Sequence, residues 1–190
     1  MENWKVNPSD IRLETERLIL RALREEDEET IYSYVKDNDI ASWTINIPHP
    51  YPREGAVQFI RRARKLMEEG SSYELAILLK PNQKIAGVVS FVNVNKTHQN
   101  AELGYWVGKP HWNKGIATEA AKRILKFGFN ELGLERIFAK CFFDNLPSRR
   151  VMEKLEMEYE GKFRHEVFRE NRFIDMTYYS ILKENWKKGE

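Results

Sequence analysis

The chain has few of the features that mark secreted and membrane proteins. Its single cysteine, Cys141, excludes an internal disulfide, which fits a reducing compartment. No apolar run approaches the roughly 20 residues that a membrane-spanning helix needs. Residues 1–10 are polar and lack the apolar stretch of a secretory signal peptide. The sequence therefore predicts a cytoplasmic protein with no membrane partner.

An excess of one charge is also lacking. Lys and Arg together number 31 and Asp and Glu 29, so the net charge is +2. A protein dedicated to nucleic acid usually has a clearer basic excess, so no direct nucleic-acid partner is predicted. The histidines do not have metal-ligand spacing, so no metal site is predicted. They are His49, His98, His111 and His165.

Linkers, internal repeats and low-complexity tracts are missing as well. A chain of 190 residues without them is predicted to form a single domain over residues 1–190 with a sizeable core. The oligomeric state stays open between a monomer and a homodimer.

Apolar residues recur at strand and helix spacing along most of the chain. The predicted strands cover residues 16–23, 73–79, 85–95, 101–107, 136–143, 158–169 and 173–183. The predicted helices cover residues 25–37, 52–69, 116–132 and 147–155, and residues 38–51 are predicted to be a loop. This order predicts an α/β (α+β) fold with a single mixed, mostly antiparallel sheet of about seven strands, flanked by about four helices.

A glycine-containing turn, HWNKGIAT at residues 111–118, follows the fourth predicted strand. The first amides of a helix have no intrahelical partner and lie at the positive end of the helix dipole, so such a turn can bind phosphate. Gly115 and the small Ala117 let an anion approach the backbone, and Lys114 adds a positive charge. A glycine at a strand–helix turn also serves packing alone, so Gly115 by itself leaves both interpretations open. The spacing excludes the nucleotide-hydrolase loop and the dinucleotide fingerprint.

The segment AELGYWVGKPHWNKGIATEA, residues 101–120, resembles the acetyl-CoA motif of the GCN5-related N-acetyltransferases (GNAT), in particular their RimJ/RimL-like branch. The family signature Gln/Arg-x-x-Gly-x-Gly/Ala falls on residues 112–117, with Trp112 at its first position, as is usual in this branch. Residues 14–21, 144–148 and 153–155 match further motifs of the branch, so the resemblance covers about residues 12–183.

The resemblance implies the GNAT fold, with a sheet splayed between its fourth and fifth strands, and acetyl-CoA as cosubstrate. It implies that the backbone of Tyr105, Trp106 and Val107 pairs with the pantetheine arm and polarises the thioester carbonyl. The pyrophosphate would lie on the turn, at Trp112, Asn113, Lys114, Gly115, Ile116, Ala117 and Thr118.

The resemblance also implies roles for the later motif. Asn145 would bind the pantetheine, and Ser148 would lie near the sulfur and stabilise the leaving thiolate. Many relatives have a tyrosine general acid where this chain has Met152, which makes Ser148 the better candidate for the group that assists the leaving thiolate. Helical spacing points Ser148 inward, although a serine at a helix start is also a common cap. Glu156-Met157 stands where the family usually has Gly-Phe.

Three residues are candidates on the acceptor side. Glu102 lies on the strand face shared with Gly104 and is the candidate general base; a solvent-exposed structural role is the alternative. By resemblance, Trp43 lies in the loop that walls the acceptor site. Asp175 is a candidate acceptor ligand, with a pairing to Arg172 or Lys162 as the alternative.

Amine chemistry favours one acceptor class. An α-amine with a pKa near 8 is about one-tenth neutral at pH 7, whereas a lysine amine is neutral at less than about one part in a thousand. The sequence therefore predicts direct acetyl transfer to a protein N-terminal α-amine, of ribosomal-protein type. The alternative acceptor is a small-molecule amine (polyamine, aminoglycoside or amino acid). The alternative functions are a non-catalytic acyl-CoA sensor and a nucleotide-binding module. Cys141 is predicted to be a core residue and not an acetyl carrier.

Overall fold

The computed structural model describes residues 11–186, so the polar segment 1–10 lies outside the described residues. This part of the chain forms eight strands and five α-helices. The strands are β1 Arg12–Glu14, β2 Leu18–Ala22, β3 Tyr73–Leu79, β4 Ile85–Asn95, β5 Asn100–Val107, β6 Arg136–Phe142, β7 Glu158–Arg169 and β8 Arg172–Leu182. The α-helices are α1 Glu28–Val35, α2 Asn38–Ala41, α3 Gly55–Glu68, α4 Ile116–Asn130 and α5 Leu146–Lys154.

All strands belong to one sheet in the order β1-β2-β3-β4-β5-β6-β8-β7. Every neighbouring pair is antiparallel except β5 and β6, which are parallel. The predicted mixed, mostly antiparallel sheet is thus confirmed. The strand beyond the predicted seven is β1, which has only three residues and pairs with β2. The helix α2 lies in the predicted loop, and its four residues are too few to show a helical period.

Helices cover both faces of the sheet. On one face, the predicted apolar stripe of α4 packs into the larger core through Ala120, Ala121, Ile124 and Leu125. On the other face, a smaller core receives buried residues of α1, α2 and α3, among them Ile31, Ile40 and Ile60. In the described part of the chain, no helix combines the length and the apolarity that a bilayer crossing requires. Strand β5 contributes to both cores and β6 to the larger one, and these two strands carry the candidate site.

Candidate active site

Strands β5 and β6 pair only over their first residues. The ladder joins Asn100–Glu102 to Arg136–Phe138, and within residues 11–186 no further pair joins the two strands. The sheet is therefore splayed between the strands that correspond to the fourth and fifth predicted ones, as expected. Backbone groups on the facing edges of the two strands are left without a strand partner.

A cavity of about 910 Å³ occupies this gap. It extends from the turn before α4, past the gap, to the loop between α2 and α3. All of the candidate site residues line it except Lys114 and Asp175. The structure thus brings together, in one space, the residues predicted to bind acetyl-CoA, apart from Lys114, and two of the three acceptor-side candidates.

The turn before α4 has a backbone suited to an anion. Gly115 is the residue before the helix and has a φ of 74°, and Asn113 has a φ of 58°. Both are left-handed conformations, which glycine and asparagine adopt at the lowest cost. The amides of Ile116, Ala117 and Thr118 begin α4 and have no acceptor within the helix. These amides point their positive partial charge toward the end of the cavity that the turn lines.

Two positive side chains lie at this turn, and the sequence singled out only one of them, Lys114. The ammonium of Lys114 donates to the carbonyl of Pro110 at 2.8 Å. The guanidinium of Arg17 donates to the carbonyl of Lys114 at 3.1 Å and forms an ion pair with Glu119. A Cβ placed on Gly115 would lie 3.5 Å from Nη2 of Arg17, so this cation lies beside the glycine. Arg17 is about 100 residues from the turn in sequence, and no local pattern joins the two.

Trp112, at the first position of the signature, ties the turn to the preceding strand. Its indole Nε1 donates to the carbonyl of Val107 at 2.6 Å. This carbonyl therefore already has a partner. Both residues of this contact line the cavity.

At the middle of the gap, a tyrosine and a serine contact each other. The hydroxyl of Tyr105 on β5 lies 2.9 Å from Ser148 Oγ and donates to the carbonyl of Ser148 at 3.0 Å. Asn145 caps α5 by accepting from the amide of Ser148 at 3.1 Å, which places the serine at the helix start facing β5. Burial raises the pKa of the Tyr105 hydroxyl, so it stays protonated over the physiological range.

The Tyr105 hydroxyl is a functional group that sequence reasoning missed. The tyrosine that many relatives have at the position of Met152 is absent, and Met152 is fully buried. A phenol nevertheless reaches the gap, from β5 instead of α5. Helical spacing predicted that Ser148 points inward, but nothing local showed that Tyr105 meets it.

Cys141 on β6 also lines the cavity. Burial, opposed by a hydrogen bond from Ser148, raises the pKa of its thiol to about 11. A thiol with such a pKa is almost entirely protonated at neutral pH and is a poor nucleophile.

Glu102 lies in the cavity and has basic and amide neighbours. Its Oε2 is 3.5 Å from Nζ of Lys140 and accepts from Nδ2 of Asn93 at 3.4 Å. The Glu102 side chain is 15% exposed, so it is not the solvent-exposed glutamate of the alternative interpretation. It lies where β5 and β6 begin to separate.

The loop between α2 and α3 lines the cavity at the end away from the turn before α4. Trp43, Ile45 and Tyr51 line the cavity from this loop. Arg169, at the end of β7, donates from its guanidinium to the carbonyls of Thr44 and Ile47. Arg169 does not itself line the cavity, so the distal hairpin holds the loop from behind.

Asp175 lies elsewhere. On β8 it accepts from the amide of His165 at 2.9 Å and forms an ion pair with Lys162 at 2.8 Å. Together with Phe163 and Arg164, these residues line a separate depression of about 600 Å³. The pairing with Lys162 was the alternative interpretation of this residue.

Comparisons with known proteins agree with this architecture. The family model described as "Acetyltransferase (GNAT) domain" matches residues 17–158. The uncharacterized N-acetyltransferase YnaD of Bacillus subtilis (strain 168) is 34% identical over 179 residues, 93% of this chain and 99% of that protein. Spermidine N(1)-acetyltransferase of Escherichia coli (strain K12) is 28% identical over 149 residues, 78% of this chain and 77% of that protein.

Solved structures extend the likeness to three dimensions. A GNAT-family acetyltransferase from Bacillus anthracis superposes with a TM-score of 0.82 at 30% identity, covering 92% of this chain and 99% of that one. RimL, the ribosomal L7/L12 α-N-protein acetyltransferase in complex with coenzyme A, shares the fold with a TM-score of 0.84 at 18% identity, covering 90% and 98%. The chain belongs to the GNAT family of N-acetyltransferases.

Proposed function

We propose that this N-acetyltransferase takes its acetyl group from acetyl-CoA and passes it directly to a primary amine, with the N-terminal α-amine of a ribosomal-type protein as the preferred acceptor. The observation that carries the proposal is the single cavity that joins the turn before α4, the gap between β5 and β6, and the loop between α2 and α3. Donor and acceptor can both enter this space, so no covalent enzyme intermediate is needed.

The residues of the cavity fit acetyl-CoA. The free amides of Ile116, Ala117 and Thr118, with Arg17 beside Gly115, suit the pyrophosphate. The gap, lined by Asn145, Tyr105 and Trp106, suits the pantetheine arm, whose amides need hydrogen-bond partners. When bound, acetyl-CoA supplies an activated thioester. The coenzyme A in the RimL complex supports this choice of cosubstrate.

Two polar groups flank the position where the acetyl group would lie. Glu102 takes a proton from the acceptor ammonium, through a water, so that the amine lone pair is free to form the new C–N bond. Ser148, hydrogen-bonded to Tyr105, gives its proton to the sulfur as the C–S bond breaks. It regains a proton from the nitrogen, which loses its second proton as the amide forms. The backbone amides of β5 that face the gap stabilise negative charge on the acetyl oxygen.

An α-amine suits this site because it is more often neutral at physiological pH than a lysine side chain. The chain has a single candidate base, already close to Lys140, and no tyrosine at the position of Met152. The names of two relatives support two acceptor classes: RimL acts on a ribosomal protein, and the Escherichia coli relative acts on spermidine. A polyamine is therefore the second candidate acceptor.

A thiol-release assay tests the proposal. Purified enzyme is incubated with acetyl-CoA and either N-terminal peptides, the same peptides blocked at the α-amine, or small amines. We expect release of free coenzyme A with the unblocked peptides and little with the blocked ones. Binding of acetyl-CoA with no transfer to any amine would identify a sensor and contradict the proposal.

A further inference from the structure

A second carboxylate, Glu74, lines the part of the cavity that the α2–α3 loop and α3 also line, where the acceptor is proposed to bind. It is on β3, directly across from Ser90 on β4, which in turn lies across from Gly104 on β5. All three line the cavity on the sheet face that α3 covers. The Glu74 side chain is only 6% exposed, so little of it is solvated.

The contacts of Glu74 are weak for a buried carboxylate. Ser72 Oγ donates to it at 3.4 Å, and Nη2 of Arg62 lies 3.7 Å away, beyond hydrogen-bond distance. Burial raises the pKa of Glu74, and Arg62 and Ser72 oppose this only in part. Burial raises the pKa of Tyr51, and Arg62 opposes this. The other carboxylates that line the cavity are Asp39 and Glu102. Buried charges are costly unless they are closely paired. Neither Ser72 nor Arg62 is close enough to pair Glu74 strongly, so the site lacks a strong hydrogen-bond donor.

We propose that Glu74 binds a second cationic group of the acceptor, remote from the nitrogen that is acetylated. The inference rests on the proposed function, since it concerns the acceptor of that reaction. The side chain of Arg62 is 61% exposed and can turn toward water, which frees the carboxylate for an ammonium or guanidinium of the substrate. The cation can come from a diamine or from a basic side chain near a peptide N-terminus.

The sheet geometry sets the separation of the two groups. Glu74 lies two strand spacings from Gly104, which amounts to about 10 Å. The acetyl group is proposed to lie beside β5, so the second charge binds at about that distance from the reacting amine. Glu102 and Glu74 then have separate roles: one handles the reacting nitrogen and the other selects the acceptor.

Matched acceptors test this selection. Rates are measured for 1,6-diaminohexane against hexylamine, and for a peptide beginning Ser-Lys against one beginning Ser-norleucine. We expect the wild-type enzyme to favour the cationic member of at least one pair. Glu74→Gln should lower that preference by about tenfold or more, because it removes a charge-assisted hydrogen bond, while the neutral acceptor keeps its rate. The pair with the larger change identifies the source of the cation.

Two further variants make the test specific. Glu68→Gln removes a carboxylate from the exposed end of α3 and should leave the preference unchanged. Arg62→Gln removes the cation that competes for Glu74 and should increase the preference. An unchanged affinity for coenzyme A shows that each variant is folded.

Calorimetric titration of 1,6-diaminohexane into the coenzyme A complex measures the same contact without turnover. Weaker binding to Glu74→Gln supports the proposal even if no amine is acetylated, in which case only the proposed function fails. The inference is overturned if the wild type shows no preference in either pair and binds the diamine no better than Glu74→Gln does. It is also overturned if the variant loses cationic and neutral acceptors equally.

Discussion

At the scale of single residues, the contact between Tyr105 and Ser148 is the part of the site most open to test. The two hydroxyl oxygens lie 2.9 Å apart on opposite sides of the gap. If Ser148 donates a proton to the sulfur, Tyr105 orients the Ser148 hydroxyl through their hydrogen bond. Burial raises the pKa of Tyr105, so this neighbour stays protonated. Tyr105→Phe keeps the ring and removes only this function.

We expect Tyr105→Phe to lower kcat about tenfold and Ser148→Ala to lower it by about a hundredfold or more, in line with general acid catalysis. The KM for acetyl-CoA should stay nearly unchanged in Tyr105→Phe because the ring still packs. Tyr159→Phe, which alters an exposed tyrosine, is the matched control. Steady-state thiol release measures both constants, and full kcat in Tyr105→Phe would rule out this role.

Cys141 offers a second prediction at this scale. With a pKa of about 11, roughly one thiol in ten thousand is ionised at pH 7. Direct transfer therefore predicts that Cys141→Ala keeps kcat within about threefold. Mass spectrometry of the wild type mixed with acetyl-CoA should show no acetyl group on Cys141. An acetylated cysteine together with an inactive variant would indicate transfer through the enzyme.

At the scale of secondary-structure elements, Arg169 connects the β7–β8 hairpin to the acceptor loop. Its side chain is 15% exposed and donates to the carbonyls of Thr44 and Ile47. A planar guanidinium can reach both carbonyls at once, whereas the ammonium of a lysine is a single point charge. The loop that carries Trp43 should therefore depend on this one arginine.

We expect Arg169→Ala to raise the KM for the acceptor severalfold while the KM for acetyl-CoA stays the same, and Arg169→Lys to fall between. Arg172→Ala is the control, since Arg172 is exposed and lies directly opposite Arg169 in the hairpin. Fluorescence of Trp43, taken as the difference from a Trp43→Phe protein, should become easier to quench in Arg169→Ala. Equal increases in both KM values would indicate general destabilisation instead.

Elements with a clear period were predictable from the sequence. The apolar stripe of α4 places Ala120 and Ile124 in the core, and the alternation along β5 separates Glu102 from Tyr105. These local patterns, with the family motif, predicted the order of the elements along the chain and the position of the candidate phosphate turn. The splay came from the resemblance and not from the pattern.

Long-range contacts were not predictable, because single-sequence patterns carry no information about which distant side chains meet. Arg169 and Thr44 are 125 residues apart, and Tyr105 and Ser148 are 43 apart. Glu74 was also missed, since within β3 it reads as an ordinary charged position in a strand. The pairing of Asp175 with Lys162 was one of two open interpretations, and only the packed hairpin shows the contact.

At the scale of the whole molecule, the splay divides the sheet into β1–β5 and β6–β8, joined by only three residue pairs in β5 and β6. A ligand in the gap bridges the two parts, with β5 and the turn on one side and Asn145 and Ser148 on the other.

Since such a site is absent from the unfolded chain, acetyl-CoA should stabilise the fold by about 2.7 kcal/mol at a concentration 100 times its Kd. We therefore expect a concentration-dependent rise in Tm of about 5–10 °C at that concentration. ATP lacks the pantetheine arm and should raise Tm far less. Desulfo-coenzyme A, which keeps the arm, is the matched ligand and should act like coenzyme A. An equal rise with ATP, not displaced by coenzyme A, would instead indicate a nucleotide-binding module, because the stabilisation would then come from the turn alone and not from the gap.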